Sequence, residues 1–305
     1  MNAAERLKRY ERVCGFLSER FRRIAIRLPE EWKIQVEEIR FRIGQPLYVS
    51  ISNQEVSLGE ILAGREDIEY VLDRVTEFSR YTVEETIRLG YLTAEGGIRV
   101  GICGTVLPSG NQSDGMREIS SLVLRIPKMC RGIADACLPQ LLDTEGKLLN
   151  TLILSPPGGG KTTLLRDLVR LISDGTERSQ PMRVSLVDER GEIAAMYRGY
   201  PQLPVGKHTD VMDACPKAIA VPMLLRAMTP QVIAVDEIGQ PSDLDALCAA
   251  ANCGVVLLAT IHASSVQDIR SKPNLKMMFE CGLWMRTVIV RGYGDRRSYQ
   301  VEVLE

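Results

Sequence analysis

The stretch TLILSPPGGGKTTLLRDLVRLIS, residues 151–173, decides the fold. TLILS is an apolar run short enough for a buried strand, and KTTLLRDLVRLIS carries apolar residues at helical spacing. Between them lie Pro156-Pro157 and three successive glycines, 158 to 160. A main chain without Cβ atoms can wrap closely around an anion at such a turn. The phosphate-loop pattern asks for Gly, four residues, then Gly-Lys-Ser/Thr, between a strand and a helix. Gly160-Lys161-Thr162 fits, while Ser155 stands at the first glycine position. The flanking strand and helix outweigh that departure, because they aim loop amides and a helix N-terminus at one point. The segment Ser155-Pro156-Pro157-Gly158-Gly159-Gly160-Lys161-Thr162-Thr163 is therefore expected to hold the phosphates of ATP. Lys161 would reach the β- and γ-phosphates, and Thr162 would ligate Mg²⁺.

Three more apolar runs end in polar residues. QVIAVDEIG, residues 231–239, supplies Asp236 and Glu237. Asp236 suits the surroundings of Mg²⁺, reached through water, and Glu237 can polarise a water for attack on the γ-phosphate. SLVDERGEI carries Asp188, Glu189 and Glu192, and VLLATIHASS carries Thr260 and His262. Glu189 and Glu192 are the next candidates for the catalytic base, and His262 for a γ-phosphate sensor. Helical stretches at 161–173, 213–228 and 242–252 alternate with these runs, which predicts a parallel sheet flanked by helices. Carboxyl ends of strands in such a sheet face one crevice. His208 has no such context and reads as a filler. The stretch 199–213, with Pro204, Gly206, Thr209 and Asp210, reads as a long loop that either covers the nucleotide or meets a neighbouring subunit.

The first half has another grammar. Leu7, Tyr10, Cys14, Leu17, Phe21 and Ile24 form one apolar stripe at helical spacing. EEIRFRIGQPLYVSI, residues 37–51, predicts a hairpin around Gly44-Gln45-Pro46, and GYLTAEGGIRVGICGTV a second one at Gly96-Gly97. Helices are expected over 67–79 and 83–89, and a strand over 121–126. The domains are expected at 1–135, an N-terminal helix with an antiparallel α+β sheet, and at 145–305.

Composition narrows the function. Of 305 residues, 25% are charged and the net charge is −1, so no global field draws the chain to nucleic acid. Eight cysteines without a CxxC pair and only two histidines exclude zinc-type spacing and suit reduced thiols. The start, MNAAERLKRYERV, lacks a signal-peptide core, and no apolar run is long enough to span a bilayer. A cytoplasmic protein is expected.

The ordered set of phosphate loop, acidic box, Asp236-Glu237 strand and His box resembles the type II and type IV secretion ATPases. Asp188-Glu-Arg-Gly-Glu192 keeps that family's acidic positions with a changed middle, and the Arg that usually follows the Walker B acids is missing. EIRFRIGQPLY, GGIRVGICGTV, SSLVLRIP, SPPGGGKTTLLRDLVR, VDERGEIAA, GKHTDVMDACPKA, LLRAMTP, VIAVDEIG and ATIHA together resemble, more narrowly, the stage III sporulation protein AA family. The resemblance implies an α/β, RecA-like P-loop ATPase core with a mainly parallel sheet, preceded by a smaller α+β domain. It implies ATP and Mg²⁺ as cofactors and a homo-oligomer, a hexamer, with nucleotide held between the two domains. It places the protein in the mother cell, peripherally on membrane-embedded channel proteins of a sporulation secretion complex, with no nucleic acid partner. Arginines of the first domain then neutralise γ-phosphate charge; Arg99 and Arg125 are the candidates, followed by Arg117 and Arg226. Arg40 and Arg42 alternate onto the same strand face as Glu38 and are expected on a solvated surface. Two rival readings remain: a nucleic-acid-dependent motor, which a DNA-stimulated ATPase rate would reveal, and a slowly hydrolysing, nucleotide-gated scaffold.

Overall fold

The structure is a computed structural model and describes residues 3–52, 54–77, 90–109, 112–177, 179–292 and 297–304. The chain begins with α1 (Ala3–Cys14), α2 (Glu19–Ile26), α3 (Glu30–Lys33), β1 (Val36–Arg42), β2 (Pro46–Ile51), β3 (Gln54–Leu62), α4 (Arg65–Val75), β4 (Tyr91–Ala94), β5 (Ile98–Ser109) and β6 (Gln112–Arg125). A 3₁₀ turn (Leu138–Leu141) leads to β7 (Thr151–Ser155), α5 (Lys161–Asp174), β8 (Val184–Asp188), β9 (Met196–Tyr197), β10 (Tyr200–Pro201), β11 (Thr209–Asp213) and α6 (Lys217–Met228). Then follow β12 (Val232–Val235), α7 (Pro241–Asn252), β13 (Val256–His262), α8 (Val266–Ser271), α9 (Pro273–Glu280), β14 (Arg286–Arg291) and β15 (Ser298–Val303). Two compact units result: 1–129 with 195–202, and 130–194 with 203–305.

The first unit is an antiparallel sheet of order β3-β2-β1-β6-β5-β4. The hairpins expected at 44–46 and 96–97 form, as β1–β2 and β4–β5. β3 escapes sequence reading because only Leu58 of its nine residues is buried. The apolar stripe of 7–24 continues through two helices rather than one. The chain turns at Gly15, whose N–H returns to the carbonyls of Glu11 (3.1 Å) and Arg12 (3.0 Å). Ser18 precedes α2 and spends its hydroxyl on Asp67 (2.9 Å). Tyr10, Cys14, Leu17 and Phe21 still reach one core, where Phe21 meets Phe41 edge to face at 5.2 Å. The helix expected over 67–79 is α4; the one expected over 83–89 lies outside the described residues.

Residues 195–202 belong to this unit although they leave and re-enter the chain between β8 and β11. Tyr197 and Arg198 both meet Glu77, and Gln202 accepts the Gly96 N–H at 2.9 Å.

The second unit is a seven-stranded sheet of order β11-β8-β12-β13-β7-β14-β15, parallel except for β15. β7, β8 and β12 are buried along their whole length, which is why they read as unbroken apolar runs. The stretch 199–213 is not one loop: it contains β10 and the edge strand β11, which runs parallel to β8. Polar Asp210 and Asp213 on an edge strand hide the usual strand signal. Its approach is tight, since a side chain on Gly206 would stand 2.5 Å from Ser173 Cβ. Among the described residues no helix is long and apolar enough to cross a membrane.

Candidate functional site

The sheet order sets the carboxyl ends of β8, β12, β13 and β7 side by side, with His262 registered against Ser155. β7 delivers the chain into the loop 156–160, and α5 starts at Lys161, so first-turn N–H groups face the loop. Ser155 is buried and donates to the Pro156 carbonyl at 2.9 Å. Its hydroxyl fills the space a side chain on Gly159 would need, so serine at 155 and glycine at 159 fit as a pair. Gly160 has φ +103°, a conformation that favours glycine.

Around this loop the acids and cations gather. Asp236 accepts the Thr162 hydroxyl at 2.8 Å on one carboxylate oxygen and the Thr260 hydroxyl on the other. Thr260 in turn accepts the Glu237 N–H at 2.8 Å, tying the end of β12 to β13. Glu237 adopts φ +55°, a left-handed conformation costing a non-glycine residue roughly 1–2 kcal/mol. The surrounding contacts offset this. Its carboxylate lies 2.9 Å from Arg190 Nη1, 3.8 Å from Lys161 Nζ and 3.4 Å from His262 Nε2. His262 Nδ1 is buried and, among the described residues, has no hydrogen-bond partner.

The acidic loop is built from beneath. The buried Asp188 carboxylate accepts the N–H groups of Glu192 (2.9 Å), Ile193 (3.0 Å) and Ala194 (2.8 Å). Arg166 of α5 donates to the carbonyls of Ile193 (2.5 Å) and Glu192 (2.6 Å), coupling α5 to this loop. Glu189 is drawn to Lys217 at 2.5 Å, and Glu192 exposes its side chain. Glu237 is the acid that stands among Lys161, Arg190 and His262. Beside Asp188, Asp213 is pushed up to about 6, by burial of its carboxyl first and by the Asp188 charge second.

The candidate arginines of the first unit lie on its sheet. Arg99 stacks on the Tyr91 ring at 3.8 Å, and Arg125 pairs with Glu38 at 3.1 Å. Arg40 pairs with Glu38 (2.6 Å) and Arg42 with Glu55 (2.8 Å), both on the outer face. Arg117 is exposed on β6, and Arg226 of α6 donates to its own helix at Pro222 (3.1 Å). His208 is exposed and lies apart from these residues, its Nδ1 2.8 Å from the Ser173 carbonyl.

Sequence reading passed over four residues here. Arg190 carried a signal, since it sits between two acids of the box. Arg166 carried only the faint one of a charge inside an apolar helix, and Lys217 that of a charge at the start of one. Arg297 carried none: it follows β14 by six residues, yet its guanidinium lies against Gly160. Among the described residues no group of three or more His, Cys, Asp or Glu is arranged to hold a metal ion.

The family described as "Sporulation stage III, protein AA" matches residues 7–300. The Stage III sporulation protein AA of Bacillus subtilis (strain 168) is 42% identical over 269 residues, covering 88% of this chain and 86% of that protein. Among solved structures, the Yersinia pseudotuberculosis ATPase DotB is similar with a TM-score of 0.59 at 14% identity, covering 94% of this chain and 79% of that one. The pilus retraction motor PilT with bound ADP gives a TM-score of 0.58 at 15% identity, over 88% of this chain and 80% of that one. At such identities the likeness is one of fold: an α/β ATPase fold with a mainly parallel sheet and a smaller antiparallel domain before it.

Proposed function

The chain belongs to the stage III sporulation protein AA family, and we propose that it is a secretion-type motor ATPase that binds ATP with Mg²⁺ and hydrolyses it. One observation carries the reading: Glu237 and Asp236 are held at the mouth of a phosphate loop, by Lys161, Arg190 and His262 and by Thr162 and Thr260. A loop that only bound phosphate would not need a strained acid there.

Magnesium fits the residues present. Thr162 and Asp236 offer hard oxygen donors within 2.8 Å of each other, and Mg²⁺ takes few protein ligands besides substrate phosphates and water. Thr162 would hold the ion directly and Asp236 through water; bound there, it would neutralise charge on the β- and γ-phosphates. Lys161 orients the phosphates. An arriving γ-phosphate competes with the Glu237 carboxylate for Arg190, Lys161 and His262, and Glu237 is released to take a proton from an attacking water. Arg99 and Arg125 are proposed to add positive charge at that phosphate.

The family membership supports a wider assignment: a homo-oligomer, a hexamer by analogy with secretion motors. It would sit in the mother-cell cytoplasm against membrane-embedded channel proteins of a sporulation secretion complex. The decisive test is Lys161→Ala in the full chain. ATP affinity and turnover should both vanish with the circular-dichroism spectrum unchanged; wild-type ATPase activity would remove the assignment. Native mass with and without ATP and Mg²⁺ tests the oligomer.

A further inference from the structure

Arg297 has no role in the site as described, yet it touches the phosphate loop. A carbon placed on Gly160 would come within 2.7 Å of Arg297 Cζ, 2.8 Å of Nε and 3.1 Å of Nη1. The guanidinium therefore lies against the last residue before Lys161, whose φ of +103° favours glycine. The Nε atom is buried and, among the described residues, has no hydrogen-bond partner. Every other arginine named in this site has one: Arg166 on carbonyls, Arg190 on Glu237.

A buried guanidinium Nε–H without an acceptor is costly, because its desolvation is not repaid by a hydrogen bond. Its chemical complement is a planar, multi-oxygen anion, which the fork of an arginine binds in bidentate fashion. The loop it leans on is the one whose amides cradle phosphates. Its place along that loop also selects which phosphates. Lys161, Arg190 and His262 cluster within 4 Å of Glu237, where the γ-phosphate would arrive. Arg297 stands against Gly160 instead, at the end of the loop that cradles the α- and β-phosphates.

We propose that Arg297, the residue immediately before β15 of the same chain, grips the diphosphate of the bound nucleotide across the Gly160 end of the loop. This rests on the reading of the loop as a nucleotide site. It makes the start of β15 part of the binding machinery, and it predicts a contact that ADP and ATP share.

The test is calorimetric titration of full-length protein with ADP and with ATP in Mg²⁺, comparing wild type, Arg297→Gln, Arg297→Lys and Lys161→Ala. Arg297→Gln should weaken both nucleotides by the same factor, about tenfold, the size of one charge-assisted hydrogen bond. Arg297→Lys should recover part of the loss, since it restores charge without the fork. AMP should lose less than ADP. The melting temperature of nucleotide-free Arg297→Gln should match wild type or rise, because an unpaired buried N–H is removed. Unchanged ADP affinity in Arg297→Gln, with Lys161→Ala unable to bind, would overturn the Arg297 contact and leave the loop reading standing. Loss of ATP affinity alone would also overturn it, by moving the contact to the γ-phosphate. A lowered nucleotide-free melting temperature would make Arg297 a structural prop and overturn it too. Full ADP affinity in Lys161→Ala would instead remove the underlying loop reading.

Discussion

Two glutamates, one in each unit, show how differently the two sheets use charge. Glu38 sits on the open face of an antiparallel sheet and pairs laterally with Arg40 and Arg125. Glu237 sits at the carboxyl end of a parallel strand, in a left-handed conformation, among Arg190, Lys161 and His262. A half-exposed sheet must carry polar residues on alternate positions, so charge there is expected whatever the protein does. A strand buried on both faces has room for charge only where it ends. The same pairing of acid and arginine is thus ordinary in the first unit and informative in the second.

The sharpest way to break this contrast is to neutralise both glutamates. Glu237→Gln should keep nucleotide affinity and lower turnover by about 10²–10⁴, the usual worth of a general base. Glu38→Gln should change turnover less than about threefold and stability by about 1 kcal/mol, since the pair lies half-buried on a sheet face that solvent reaches. Steady-state ATPase rates with an ADP titration check both. Equal effects from the two would show that location at a strand end carries no weight.

A core substitution tests the other side of the comparison. Phe41 is fully buried against Phe21, and Phe41→Ala should cost the first unit about 3–4 kcal/mol. The chain's two tryptophans fall one in each unit, Trp32 and Trp284. Urea unfolding followed in Trp284→Phe, with Trp32 the remaining reporter, and in Trp32→Phe, with Trp284, separates the two. The Trp32 transition should shift by the full amount. An equal shift of both would mean that the units unfold as one.

What the sequence made legible follows the same line. The central strands β7, β8, β12 and β13 were readable because burial, complete in the first three and broken only at the two ends of β13, leaves apolar runs. The edges were not: β11 sets Val211 and Met212 side by side between Asp210 and Asp213, without strand alternation, and β3 buries one residue. Residues of the site that lie within the motifs, such as Lys161, Asp236 and Glu237, were visible from spacing. Arg297 was invisible, because what marks it is closeness to a glycine more than a hundred residues earlier, a relation that only folding creates. The helix break at Gly15 was missed because the apolar spacing runs straight through it.

Arg99 and Arg125 are cross-strand neighbours in register, on the sheet that also carries Arg40 and Arg42, which alternation assigns to a solvated face. Arg99→Ala and Arg125→Ala are each expected to lower turnover by about tenfold, less than a lone transition-state arginine would give. Since both would act on one phosphate charge, the double variant should lose less than the product. A mutant cycle on the ATPase rate decides it. If neither alters turnover, the outer face of the first sheet is structural throughout, and the contrast between the units becomes absolute.

The smallest effect concerns a place where the second unit departs from good pairing. In the first unit acids face arginines, whereas Asp213 at the end of β11 lies beside Asp188 at the end of β8. Burial and that neighbouring charge raise Asp213 to about 6, above its ordinary value of 3.8. The sign follows from linkage: a carboxyl raised by folding is disfavoured in its ionised form, so the native state is penalised at neutral pH. The penalty fades as pH falls through 6 and is gone below about 4, where both states hold the proton. Asp213→Asn should therefore raise the melting temperature at pH 7.5 and leave it unchanged at pH 4. Because Asp213 keeps an exposed face, solvent screening holds the gain to about 1 kcal/mol or less. Thermal unfolding of both proteins across pH 4 to 8 reads it directly. A stabilisation that persists at pH 4 would trace to packing, and a destabilisation at pH 7.5 would mean that the two aspartates are held apart by a cation between them.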